Sequence, residues 1–265
     1  MIYTTGYYFL SFGSMVSVLS LFQAKPPVKP DPPRVTMVWP WVLNPIGKHK
    51  LTLRGQNLDA VQSAQLETTG MPMALALEGK AASAPLPDGM DGKLFGSQIL
   101  TVETGILAGT PVGDKQIVLT GKNQEKAKAV VEVTTSPLTP EKEPNNDLDQ
   151  AQEISKLPCR LLGTIEKKQD VDCFRIDLKQ GQTVEVRLTS RGRGSVLDPL
   201  ITIQAPDGSI RQKAVPKPGA MDLVVIHTAK NAGPVCIVVQ DSFDSGSQSH
   251  AYDALEPPSQ IWNEG

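Results

Sequence analysis

Between residues 141 and 174 the chain gathers oxygen donors that could hold a cation. Glu141, Glu143, Asn145 and Asn146 put two carboxylates and two amides within six residues, on a backbone that Pro144 keeps out of a helix. Asp170 and Asp172 return two more carboxylates at the head of an apolar run. Oxygen donors brought together from a loop and a strand start are what a hard cation such as calcium requires. The competing reading is a solvated linker and turn, where acidic and amide side chains are common.

Short strands must position these donors. Residues 161–165 and 172–178 are apolar and are expected to pair as a hairpin across 166–169, which would bring Asp170 and Asp172 to one end of a sheet. Further strands are expected at 182–190, where Val184, Val186 and Leu188 alternate inward, and at 200–204, 222–226 and 235–240. A Pro-Asp-Gly turn at 206–208 closes the second of these as a hairpin loop.

The same stretch carries a resemblance. Glu143-Pro144-Asn145-Asn146, Gly163-Thr164-Ile165, Asp170-Val171-Asp172-Cys173-Phe174 and Gly181-Gln182 follow one another in the order found in the bacterial pre-peptidase C-terminal (PPC) domain. The series continues through Ser195-Val196-Leu197-Asp198-Pro199, Asp207-Gly208, Gly233 and Val239-Gln240-Asp241 to Tyr252, so it covers 141–255. The resemblance implies a jelly-roll-like β-sandwich, of the kind appended to secreted enzymes and surface proteins. It also implies a calcium ion held through Glu141, Glu143, Asn145, Asn146, Asp170 and Asp172. Cys173 departs from the pattern, because an aromatic residue is usual there.

Upstream, residues 34–134 resemble the IPT/TIG immunoglobulin-like fold. The carrying residues are Pro33-x-Val35-x-x-Val38-x-Pro40, Gly47, and Leu51-Thr52-Leu53-Arg54-Gly55-Gln56-Asn57-Leu58, with a later turn from Gly109 to Gly113. Val35, Met37 and Trp39 are expected on one face of a first strand by period-two alternation. Strands are also expected at 50–58, 63–66, 98–102, 114–120 and 127–134, while 70–93, rich in Ala, Pro, Met and Gly, reads as an insertion at a sheet edge. Residues 135–140 contain two prolines and mark the boundary between modules.

Residues 1–24 contain no charged side chain and end at Lys25, which reads as a secretory signal peptide or a retained membrane anchor. Residues 25–33 hold five prolines and form an extended spacer, and residues 256–265 read as a tail. The whole is expected to be all-β, with two β-sandwich modules after the signal or anchor. Scarce aromatics with 22 glycines and 22 prolines fit many turns and short strands.

The 26 Lys and Arg nearly balance the 28 Asp and Glu, which leaves no electrostatic footprint for nucleic acid; a membrane enters only if the first segment is retained. Three cysteines, Cys159, Cys173 and Cys236, are too few for a disulfide framework and are expected as buried thiols. His49, His227 and His250 lie in no nucleophile elbow and no metal-ligand spacing, so the chain is not expected to be an enzyme. Asp198 and Asp241 are expected to accept backbone N–H groups at turns. The resulting expectation is a secreted, periplasmic or cell-surface binding protein for an extracellular protein or polysaccharide. An accessory fragment of a larger secreted peptidase or other hydrolase, or a spacer without ligand, are its alternatives.

Overall fold

The computed structural model describes residues 31–254. The expected signal or anchor at 1–24, most of the spacer at 25–33 and the tail at 256–265 therefore lie outside the described residues. Among the described residues no helix is long and apolar enough to cross a membrane.

Nine strands build the first half: β1 (Arg34–Trp39), β2 (Val42–Leu43), β3 (Gly47–Gln56), β4 (Val61–Glu67), β5 (Met73–Leu77), β6 (Ala82–Ser83), β7 (Gln98–Ile106), β8 (Gly113–Gly121) and β9 (Lys126–Val133). They hydrogen-bond in the order β1-β3-β7-β5-β4-β8-β9-β2, with β6 on β7. The expected edge insertion at 70–93 is corrected here. Met73–Leu77 pairs with β4 on one side and β7 on the other, so it carries one layer of the sandwich into the next. Its alternation of Ala with Met and Leu is too weakly apolar to stand out in the sequence. Alternate residues of the long strands face one core, among them Leu51, Leu53, Leu66, Val102, Ile117, Leu119, Val131 and Val133, none exposed to solvent. After β3, Asn57 adopts a left-handed conformation (φ 53°) that an amide side chain tolerates, and the chain turns into a short 3-10 segment at Leu58–Ala60.

Ten strands follow: β10 (Leu138–Pro140), β11 (Gln152–Glu153), β12 (Arg160–Thr164), β13 (Val171–Leu178), β14 (Thr183–Thr189), β15 (Pro199–Gln204), β16 (Ile210–Ala214), β17 (Asp222–Thr228), β18 (Gly233–Asp241) and β19 (Ala251–Ala254). They form two five-stranded sheets, β10-β12-β19-β14-β17 and β11-β13-β18-β15-β16, around a second core centred on Leu161, Ile165, Phe174, Val186, Ile201, Ile237 and Tyr252. The architecture is all-β, as expected. The hairpin expected between 161–165 and 172–178 does not form. β12 pairs with β10 and β19, whereas β13 pairs with β11 and β18 in the opposite sheet, so residues 165–170 arch from one layer to the other. The boundary segment 135–140 is where the chain passes between sandwiches, and its last three residues already form β10. All three cysteines are free and buried.

The described residues from Pro32 onward form one compact unit, and a seam of mixed character joins its two sandwiches. A bulge between Val35 and Met37 breaks the alternation expected for β1. Val35 and Val38 therefore belong with the first core, while Met37 and Trp39 turn to the other side. There Met37, Trp41 and Val42 pack on Leu162 and Ala251 of the second sandwich. Trp41 Nε1 donates to Asp253 Oδ1, Arg160 Nε donates to Asp253 Oδ2 at 3.0 Å, and Arg160 Nη1 donates to Glu132 at 2.7 Å. Gly194 completes the close approach: its φ is +88°, and a Cβ there would lie 2.0 Å from the Thr36 carbonyl oxygen.

Removing one partner of a buried ion pair leaves the other charge desolvated and uncompensated. Arg160→Ala is therefore expected to lower the unfolding free energy by about 3–5 kcal/mol in urea titration. A loss below about 1 kcal/mol would show that the pair is as weak as a surface bridge.

Candidate cation site

The second sandwich positions the oxygen donors at one end. β10 runs parallel to β12, and the next residue continues that register, with Glu141 N–H donating to the Leu162 carbonyl at 2.9 Å. This lays the Glu141 side chain over the end of β12, where both carboxyl oxygens accept from Thr164 N–H at 2.9 Å. Four residues on, the loop is stitched to the opposite sheet, because Cys173 N–H donates to the Asn145 carbonyl at 2.9 Å. The arch brings in Asp170, whose Oδ2 accepts from Glu166 N–H at 2.6 Å. Asp172 enters from the start of β13 and is fully buried.

These elements bring one carboxylate oxygen each from Glu143, Asp170 and Asp172 within 4.8 Å of one another. Asn145 is fully buried beside them, and neither its Oδ1 nor its Nδ2 has a hydrogen-bond partner. Asp170 Oδ1 and Asp172 Oδ1 are likewise buried and unpartnered. Each such atom costs about 1–3 kcal/mol if nothing satisfies it. Orphaned oxygens converging from a loop and a strand end fit a hard cation. The other two nominated residues stand differently. Glu141 borders the group through Asp172, and its carboxyl is already occupied by Thr164 N–H. Asn146 directs its amide to Glu143 Oε2 at 3.1 Å and so orients that carboxylate.

Two further residues belong to the site that the donor pattern did not reveal. Tyr252 on β19 is fully buried and donates its hydroxyl to Asp172 Oδ2 at 2.5 Å. Gly163 pairs directly across from Tyr252, and a Cβ on it would lie 2.3 Å from the Tyr252 hydroxyl and 2.5 Å from Glu141 Oε2. Glycine is thus required so that the ring and the carboxyl can meet over the strand.

Packing like charges here shifts their protonation. Burial, and then the charge of Asp172, pushes Glu141 up to about 9. Burial pushes Asp172 up to about 7, although the hydrogen bonds from Tyr252 and Glu141 pull the other way. Cys173, next to Asp172, is pushed up to about 12 by burial and by Cys236, which makes it an inert thiol. Elsewhere, Asp241 takes the expected turn role, accepting from Asp198, Phe243 and Ser245 N–H, whereas Asp198 pairs instead with Arg191.

No protein-family model matches the chain, and no curated protein matches it. Solved structures that are similar include the pre-peptidase C-terminal domain of collagenase from Bacillus anthracis, at 8% identity and a TM-score of 0.33, covering 40% of this chain and 92% of that one. SGBP-B of the Bacteroides ovatus mixed-linkage glucan utilization locus, in complex with a mixed-linkage heptasaccharide, is similar at 10% identity and a TM-score of 0.29, over 85% of this chain and 74% of that one. The secreted serine protease VesC of Vibrio cholerae is similar at 11% identity and a TM-score of 0.25, over 81% of this chain and 48% of that one. This chain thus spans about half the length of that protease. At such identities the reading of the site rests on the chain's own residues.

The raised carboxyl groups fix the sign of a pH effect. A carboxyl that holds its proton longer in the folded than in the unfolded state stabilises the fold at low pH, and that contribution is lost as pH rises. The loss begins near the unfolded values of about 3.9 for the aspartate and about 4.3 for the glutamate, and runs through the folded values of about 7 and 9. In chelator, the melting temperature is therefore expected to fall between pH 5 and pH 8, followed by circular dichroism. Asp172→Asn should flatten this slope; an unchanged slope would place its origin elsewhere.

Proposed function

We propose that the chain is an exported, non-catalytic binding protein whose second sandwich is completed by calcium. The observation that carries this reading is the convergence of Glu143, Asp170 and Asp172, where buried side-chain atoms of Asn145, Asp170 and Asp172 have no hydrogen-bond partner. Glu143, Asn145, Asp170 and Asp172 would hold the ion, with Glu141 bordering it and Asn146 orienting Glu143. Bound calcium supplies charge neutralisation and a fixed oxygen shell. The chain supplies a pre-shaped end of a sandwich, in which Tyr252 and Gly163 set the position of Asp172. Export is supported by the uncharged run at 1–24, and the motif series at 141–255 favours a PPC-like module used for adhesion to an extracellular protein, polysaccharide or cell surface. The reading of the first sandwich as IPT/TIG-like rests on its own motif residues.

A non-catalytic role is favoured by the local contacts of the histidines. His49 Nε2 faces the Asn44 carbonyl. His250 Nδ1 contacts Ser247 Oγ at 2.9 Å, but that hydroxyl also accepts from Ser249 N–H, which makes it part of a turn. The nearby Asp241 has both carboxylate oxygens on backbone N–H groups, the turn role expected of it.

Calorimetry should show calcium binding to the full chain, with a melting temperature that rises on calcium addition and returns in chelator. A hundredfold excess over the dissociation constant corresponds to about 2.7 kcal/mol of stabilisation. Asp172→Ala should remove most of the calcium increment, and Gly163→Ala should do so by displacing Glu141 and Tyr252. Asp198→Ala should keep it. No heat of binding together with a melting temperature indifferent to chelator would return these residues to an ordinary polar loop.

A further inference from the structure

We propose that the cleft along the seam between the two sandwiches binds a neutral polysaccharide, with Trp39 as the platform on which a sugar ring stacks. The cleft deepens the binding role just proposed, and only its calcium dependence rests on the cation reading.

The bulge in β1 creates the floor. Beyond it Met37 stands opposite Arg54 and Trp39 opposite Thr52, while Arg54 stands opposite Ile99 on β7. All five side chains therefore share the face of the first sandwich that looks away from its core. Thr164, Glu166, Gln248 and Ser249 of the second sandwich form the wall, and the enclosed space is about 250 Å³. Clefts at module interfaces are where ligand sites recur, and this volume lies just under the range of about 300–1,000 Å³ for drug-sized ligands. It suits a sugar ring of a chain that continues into solvent.

Three features point to a neutral glycan. First, the half-buried Trp39 ring is pre-positioned. It packs edge-on against Trp41, with centroids 4.6 Å apart and planes at 67°, and Trp41 is itself tethered to Asp253. A sugar ring offers an apolar C–H face to such a surface and hydroxyls at its rim. Second, hydrogen-bonding capacity for those hydroxyls is free. Among the described residues, the side chains of Thr52, Thr164, Glu166 and Gln248 have no protein hydrogen-bond partner. Third, the cleft offers no available cation for an acidic polymer. Arg54 is buried, its guanidinium donates to the Gly96 and Pro85 carbonyls, and it lies 5.0 Å over the Phe95 ring. That leaves Glu166, whose charge repels anions. An extended peptide would seek an unpaired backbone edge, whereas this floor is built of side chains on a sheet face.

The wall is also tied to the cation cluster. Thr164 N–H donates to Glu141, and Glu166 N–H donates to Asp170 Oδ2. The ion and the sugar thus share one short segment without touching each other, so chelation should loosen the wall and weaken binding.

Native affinity electrophoresis of the full chain in gels containing mixed-linkage β-glucan, xylan or galactomannan, with gelatin as a protein control, tests the cleft. Retardation by at least one polysaccharide is expected, weakened about tenfold by Trp39→Ala. Glu166→Gln and Gln248→Ala, on exposed loop positions, should each weaken it several-fold without moving the melting temperature, which keeps the test valid if Trp39→Ala unfolds. Retardation by none of the polysaccharides, retardation by gelatin alone, or polysaccharide binding indifferent to all three substitutions would overturn the proposal. Binding that depends on Trp39 but ignores chelator, while the melting temperature still responds to calcium, keeps the cleft and overturns its coupling to the ion. A melting temperature that ignores calcium overturns the cation reading alone.

Discussion

Glu141 and Asp172 meet beneath the Tyr252 hydroxyl, in a space where two negative charges cannot both persist without an added proton or cation. Much of the second sandwich is arranged around that contact. Parallel pairing of β10 with β12 delivers Glu141, the missing side chain of Gly163 makes room for it, and the arch between the two sheets delivers Asp170. The loop of Asn145 is fixed to β13 through Cys173. Hydrogen bonds hold the donors from outside, while their inner oxygens have nothing within the protein to meet. A proton relieves the repulsion at low pH; a divalent cation would do so across the physiological range and satisfy the orphaned oxygens as well.

The seam imposes a second constraint. Two sandwiches with separate cores are joined by a short apolar patch, an indole hydrogen bond and a buried guanidinium shared between Asp253 and Glu132. Buried charges of this kind add little to stability over an apolar contact but are costly to misalign. They favour one relative placement of the modules, and the seam cleft takes its shape from that placement.

The sequence made the strands with strong alternation legible. Val184, Val186 and Leu188 announced β14, and Pro206-Asp207-Gly208 announced the turn between β15 and β16. What it concealed were partnerships. β12 and β13 are close in sequence and similarly apolar, yet the short arch at 165–170 between layers reads like a hairpin loop until the partners of each strand are known. β5 was hidden by its alanines, and the face of Trp39 by a one-residue bulge that no composition records. At the site, the nominated acids Glu143, Asp170 and Asp172 converge, because carboxylates crowded around a loop are visible as such. Tyr252 and Gly163 were not legible as site residues, since their roles come from facing each other across strands 89 positions apart in the chain.

Trp41 and Asp253, joined by one hydrogen bond, are separated by 212 residues. On a ribosome the first sandwich emerges long before β19 exists, so its Trp41 face must wait, apolar and uncovered, until those later residues are made. Domains commonly fold in order of synthesis, and contacts this distant in sequence close last because loop-closure entropy must be overcome first. The seam is therefore a late event in the life of the molecule: the first core can form early, but the two halves can lock together only after β19 has been made.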